Sequence, residues 1–150
     1  METEVTLGLS GENLRKTGSE MEEFAAKYLM SRGVRILERN YRSKEAEIDI
    51  IGAEGSTLLF VEVKARGGKR SGSASEAVGA AKQKRICRCA DYYLHSKGID
   101  PYRTGIRFDV VAITMKEGDG SIEPVQEIRW IQNAFPYTPF RRTKPHWRVW

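Results

Sequence analysis

The run Glu47-Ile48-Asp49-Ile50-Ile51, the dipeptide Gly55-Ser56 and the run Leu59-Phe60-Val61-Glu62-Val63-Lys64 decide how this chain folds. Both runs alternate charged and apolar residues, the period-two pattern of a half-buried strand. Gly55-Ser56 suits a two-residue hairpin loop. That loop sets a register in which Glu54 faces Thr57, Ile51 faces Phe60, Asp49 faces Glu62 and Glu47 faces Lys64. Side chains two apart share a face. Ile48, Ile50, Leu59, Val61 and Val63 should therefore form one apolar face. Glu47, Asp49, Glu62 and Lys64 should gather on the other, beside Ile51 and Phe60. A slip of one residue would scatter both sets.

Carboxylates set directly opposite each other repel unless a cation lies between them. Oxygen donors from Asp49 and Glu62 suit Mg2+ or Mn2+. Lys64 beside them can orient a water or stabilise charge developing on a phosphate. The same residues also fit a solvated sheet face with a Glu47–Lys64 ion pair, and the hairpin alone leaves both readings open.

The chain of 150 residues is the size of one domain with a single core. Its composition, 40% hydrophobic and 30% charged, is that of a globular protein. The sequence has no long apolar run, which speaks against a membrane partner, and Met1 to Ser10 do not read as a secretory signal. Cys87 and Cys89 stand two apart on an expected helix and should not bridge, so they read as reduced thiols of a cytoplasmic protein. His95 and His146 lie far apart, which disfavours a Cys/His zinc site. A net charge of +5 favours polyanionic partners. The surplus is concentrated in Arg141, Arg142, Lys144 and Arg148.

Outward from the hairpin, residues 1–14 show no periodicity and are expected to form a flexible N-terminus. Met21, Phe24, Ala25, Tyr28 and Leu29 then recur at helical spacing, and Gly33 ends that helix. Ser19 and Glu22 fit a capping box, so Glu22 reads either as a cap or as a third carboxylate over the hairpin. Val34 to Tyr41 reads as a strand. After Lys64 comes the basic, glycine-rich segment Arg66-Gly67-Gly68-Lys69-Arg70, suited either to phosphate contact or to plain solvent exposure. Ser75 to Lys97 reads as a second helix, with Lys82, Gln83, Lys84 and Arg85 crowding its middle. Arg107 to Met115 and Ile122 to Ile131 read as strands, the second interrupted by Pro124. The order αβββαββ predicts one mixed sheet flanked by helices over residues 15–136. Residues 137–150 form a basic, aromatic tail, whose Phe140, Trp147 and Trp150 could stack bases or pack as an extension. No GxxxxGKS or GxGxxG phosphate loop is present.

The spacing of Asp49 and Glu62-Val63-Lys64 resembles the Asp…Glu-x-Lys core of the restriction-endonuclease-like nucleases. The flanks sharpen this. Gly18…Glu22-x-x-Ala25-x-x-Tyr28-Leu29, Arg39-Asn40-Tyr41-Arg42, Glu47-Ile48-Asp49-Ile50-Ile51, Phe60-Val61-Glu62-Val63-Lys64-x-Arg66, Lys82-Gln83-x-Arg85-Ile86, Arg107-Phe108-Asp109-Val110-Val111 and Asn133-Ala134-Phe135 occur in that order. As an ordered set they closely resemble the UPF0102 (YraN) proteins. The resemblance implies an α/β (α+β) restriction-endonuclease-like three-layer sandwich related to the Holliday-junction resolvases. It also implies a site with Asp49 and Glu62 as ligands of Mg2+ or Mn2+, Lys64 beside the attacking water and Glu22 completing the site. Gln83 matches a second-helix glutamine found near the site in several branches. Met21 and Ala46 stand where the family usually has glycine, adding bulk near the expected site.

The expected activity is metal-dependent hydrolysis of phosphodiester bonds in DNA, with Arg66, Lys69, Arg70, Lys82 and Gln83 as candidate substrate contacts. Branched or single-stranded DNA would be the structure-specific targets, and a resolvase-like role would need a homodimer to cut two strands symmetrically. The alternative is a nucleic-acid-binding module, or a subunit of a larger complex, without catalysis of its own.

Overall fold

In the computed structural model of the chain, residues 2–8, 18–67, 78–116 and 125–138 are described. For residues 2–8, 18–20, 66–67, 115–116 and 125–126 this extends to the backbone alone. The elements run β1 (Glu2–Gly8), α1 (Gly18–Ser31), β2 (Arg35–Arg42), β3 (Glu47–Glu54), β4 (Thr57–Gly67), α2 (Ala80–Ser96), β5 (Gly105–Lys116) and β6 (Val125–Phe135). They form a six-stranded sheet in the order β1-β6-β5-β4-β3-β2. β4 and β5 are parallel, joined by the crossover that carries α2, and the other described pairings are antiparallel. The expected αβββαββ order holds, with one further strand in front. No described helix is long and apolar enough to cross a membrane.

The hairpin turns where Gly55-Ser56 predicted. Gly55 takes φ 58°, a conformation glycine adopts without steric cost, and Glu54↔Thr57 through Ile50↔Val61 pair in the expected register. The half-buried expectation fails. Ile50, Leu59 and Val61 pack with Met21, Ala25 and Leu29 of α1. Ile51, Leu58 and Phe60 pack with Ile86, Ala90, Tyr93 and Leu94 of α2. A helix therefore covers each face of the sheet, giving three layers with two apolar interfaces. Central strands covered on both sides carry continuous apolar runs. Leu58-Leu59-Phe60-Val61 is such a run, and its length outweighs the charged alternation that follows it.

Ile48 also departs from expectation. It joins the α2 cluster with Ile51 and Phe60, not the α1 cluster with Ile50. Between the pairs Arg39↔Ile50 and Tyr41↔Ile48, Asn40 adopts a left-handed φ of 53°. Strict alternation breaks there, which turns Tyr41 and Ile48 toward α2. Upstream, Gly52 lets β2 approach closely. A Cβ at Gly52 would lie 2.7 Å from Val34 Cγ1 and 3.0 Å from the Arg35 carbonyl oxygen.

Three boundaries move. Glu2–Gly8, expected to be flexible, forms the edge strand β1 along β6. Thr3, Val5 and Leu7 alternate there, and the open edge of β6 provides the ladder. α2 starts at Ala80, later than Ser75, with extended Gly79 as its N-cap. Tyr137, assigned to the tail, belongs to the domain: its ring stacks on Phe108 at 5.8 Å and its hydroxyl donates to Asp91. The rest of the tail, residues 139–150, lies outside the described residues. Cys87 and Cys89 are free thiols buried under α2, as expected.

Asp109 is fully buried and fully partnered. Arg107 donates to both carboxylate oxygens at 2.9 Å, Trp130 Nε1 donates to Oδ2 at 2.9 Å, and the Asn133 amide donates to Oδ1 at 2.9 Å. Arg107 also donates to Glu54 Oε1 at 3.1 Å. The β5–β6 register shifts just past Phe108, and Asn133 takes φ 54° opposite. Asp109 thus pins this irregularity by holding the Asn133 N–H. Asp109→Ala would leave the Trp130 indole N–H and the Asn133 amide without their acceptor, and the part-buried Arg107 guanidinium with Glu54 alone. We predict a loss of roughly 3–5 kcal/mol in urea unfolding; an unchanged midpoint would contradict this role.

Candidate metal and phosphate site

The β3–β4 ladder does not run to the ends of its strands. Its pairing stops at Ile50↔Val61, although β3 begins at Glu47 and β4 continues to Gly67. The expected pairs Asp49↔Glu62 and Glu47↔Lys64 are therefore not ladder pairs. Asp49 Oδ2 instead accepts the Val63 amide at 2.7 Å, a side chain taking the place of a backbone acceptor. The strands part at this point, and side chains from both helical layers reach the opening.

Glu22 arrives from α1, Glu47 and Asp49 from β3. Each of the three places a carboxylate oxygen within 4.8 Å of the others. All three are half-buried. Oxygens bound to one six-coordinate ion at about 2.1 Å lie roughly 3–4.2 Å apart, so this trio needs only small adjustments to hold Mg2+ or Mn2+. Hard oxygen donors from three carboxylates fit those ions and not a soft one.

Glu62 projects from β4 on the α2 side and is only 7% exposed. Its Oε1 accepts Lys82 Nζ from α2 at 2.5 Å and lies 3.7 Å from Lys64 Nζ. Burial, followed by the negative charge and hydrogen-bonding contact of Glu62, pushes the Asp49 carboxyl up to about 8. The Val63 amide opposes the shift and Glu22 adds to it. Burial, then contact with the Lys82 ammonium, lowers the Lys64 pKa. Burial, the largest single influence, would lower Lys82 too, but its bond to Glu62, its contact with Lys64 and the charges of Glu62 and Asp49 together hold it raised.

The expected residues sort as follows. Asp49, Glu62, Lys64 and Glu22 converge on the opening. The trio that could share an ion contains Glu47 in the place expected of Glu62. The expected polar face already grouped Glu47 with Asp49 but gave it no ligand role. Its expected partner Lys64 is replaced by Arg42, whose Nε lies 3.5 Å from Glu47 Oε2. Lys82, expected at the substrate, is engaged by Glu62. Gln83 donates from Nε2 to the Val78 carbonyl at 2.7 Å, fastening the start of α2. The side chain of Arg66, with Lys69 and Arg70, lies outside the described residues, as does that of Ser19, the proposed cap partner of Glu22. Met21 is buried in the α1 cluster and Ala46 packs on the α2 cluster, so each adds its bulk to a core.

Comparison with known proteins places these residues in a family context. The profile described as "Uncharacterised protein family UPF0102" matches residues 21–113, more than half the chain. A UPF0102 protein of Colwellia psychrerythraea is 42% identical over 118 residues, covering 79% of this chain and 87% of the relative. One from Syntrophus aciditrophicus is 46% identical over 116 residues, covering 77% and 89%. One from Methylococcus capsulatus is 41% identical over 129 residues, covering 85% and 97%.

A carboxyl whose folded pKa is raised above its unfolded value stabilises the fold at low pH and loses that contribution as pH rises. For Asp49 the window runs from about pH 4 to about pH 8. We predict that, in chelator, the unfolding free energy falls by about 4 kcal/mol between pH 5 and pH 8.5. Asp49→Asn should flatten the profile and Mn2+ should restore wild-type stability at pH 8.5. A wild-type profile already flat in chelator would contradict the electrostatics described here.

Proposed function

The chain belongs to the UPF0102 family, and from that premise and the geometry of the opening we propose that it is a divalent-metal-dependent nuclease hydrolysing phosphodiester bonds in DNA. The observation that carries this reading is the meeting of Glu22, Glu47 and Asp49 with the Glu62-Lys64 pair where β3 and β4 part. Such a set pairs a seat for a cation with an ammonium directed at the same space.

A bound Mg2+ or Mn2+ supplies polarisation of the phosphoryl oxygen and acidifies water. The chain's residues do the rest. Glu22, Glu47 and Asp49 fix the seat from two elements, and the Val63 amide holds the Asp49 carboxylate in one orientation. Lys64, its ammonium destabilised by burial and by Lys82, lies beside Glu62, where it can orient the attacking water and meet the charge that develops on the phosphate. Water adds to phosphorus, the bond to the leaving oxygen breaks, the water's proton passes to solvent or to a nearby base, and the leaving oxygen takes a proton from solvent. The basic residues Arg66, at the end of β4, and Lys69 and Arg70, which follow it in sequence, are assigned to the DNA backbone, where charge binds without reading sequence.

The test is cleavage of labelled single-stranded, duplex and four-way-junction DNA with Mg2+, with Mn2+ and with chelator. We predict cleavage of at least one substrate, abolished by chelator and reduced at least ~100-fold by Asp49→Ala or Glu62→Ala. Cleavage that survives both chelator and substitution contradicts the assignment. DNA binding without cleavage on any substrate would favour a binding module instead.

A further inference from the structure

Four carboxylates meet at the opening, yet they are divided. Glu22, Glu47 and Asp49 bring oxygens together, while Glu62, in contact with Asp49, is itself held by two ammonium groups. The closer is Lys82, at 2.5 Å from Glu62 Oε1. Glu62 is one of two charged residues buried among those described, the other being the fully partnered Asp109. A buried carboxylate needs a counter-charge, and Lys82 provides it directly.

The placement of Lys82 is fixed by the fold. α2 begins at Ala80, so Lys82 sits in its first turn, with no acid in that turn. The positive end of a helix dipole disfavours a cation there, so helix stability alone does not account for a lysine. The turn is anchored by the Gln83 amide on the Gly79 carbonyl at 2.9 Å and by Gln83 Nε2 on the Val78 carbonyl. Its ammonium is thus aimed across the interlayer space at Glu62.

We propose that Lys82 is a positioning residue that occupies the place of a second cation beside Glu62, so that the site takes a single divalent ion on Glu22, Glu47 and Asp49. This rests on the metal-dependent reading above and specifies its stoichiometry. Removing the ammonium leaves Glu62 and Asp49 as adjacent carboxylates with only the more distant Lys64 to offset them. That pair becomes a second seat, or a tighter claim on the first ion.

The test is calorimetric titration of the full chain with Mn2+ and with Mg2+, without DNA, backed by counting bound Mn2+ by electron paramagnetic resonance. Wild type should bind one ion. Lys82→Met should bind two, or bind the first at least roughly tenfold more tightly, because a charge in contact with a ligand carboxylate is gone. Lys82→Arg should stay at one ion. If Lys82→Met does not fold, Lys82→Gln is read the same way. A neutral variant whose isotherm superimposes on wild type overturns the role of Lys82 and leaves the nuclease reading standing. Two ions in wild type overturn the role of Lys82 as well. No bound ion in wild type overturns both.

Discussion

Asp49 Oδ2 accepts the Val63 amide where the next β3–β4 ladder bond would otherwise form, and the site follows from that substitution. A continuous ladder would hold β3 and β4 at ordinary strand spacing and keep the two helical layers separate. With the ladder ended at Ile50↔Val61, Glu22 from one layer and Lys82 from the other reach the same opening. The carboxylate is held by an amide, so its direction is set before any ligand arrives. The cost is a carboxyl that burial and Glu62 push well above its ordinary range. A bound cation would remove that cost.

Asp109 and Glu62 are both buried acids on neighbouring strands, and they do different work. Asp109 has every oxygen committed to Arg107, Trp130 and Asn133. It has no capacity left for a ligand, and its product is a pinned strand irregularity. Glu62 is held by ammonium groups on flexible stems, one of them in the first turn of a helix. Such contacts can be exchanged. Burial alone does not separate the two acids; the kind of partner does.

The hairpin was legible because its signals are local. Gly55-Ser56 set the turn, the turn set the register, and the register is right as far as Ile50↔Val61. The element order and the presence of Asp49, Glu62, Lys64 and Glu22 around one opening were likewise readable from spacing and family resemblance. What failed depends on contacts distant in sequence. The end of the ladder is decided by a side chain competing with a backbone carbonyl, which no periodicity records. The turn of Ile48 away from Ile50 comes with left-handed Asn40 on another strand. β1 was hidden because its pattern is short and its partner β6 lies at the other end of the chain. The pattern leaves Glu47 open between the carboxylate face and an ion pair with Lys64, and strict pairing carried past the point where the strands part hides its place beside Glu22. In the run Lys82-Gln83-Lys84-Arg85, Lys82 is legible only as a candidate substrate contact, because composition cannot tell a lysine turned to Glu62 from a solvated one.

The central claim is that the parting of β3 and β4 creates a seat for one divalent cation. Crystals grown with Mn2+ and measured for its anomalous scattering test it most directly. The account predicts one peak, within about 2.0–2.4 Å of oxygens from Glu22, Glu47 and Asp49, with the Asp49–Val63 bond intact. No peak at the opening, or a peak there with the β3–β4 ladder closed through Asp49 and Glu62, would contradict it.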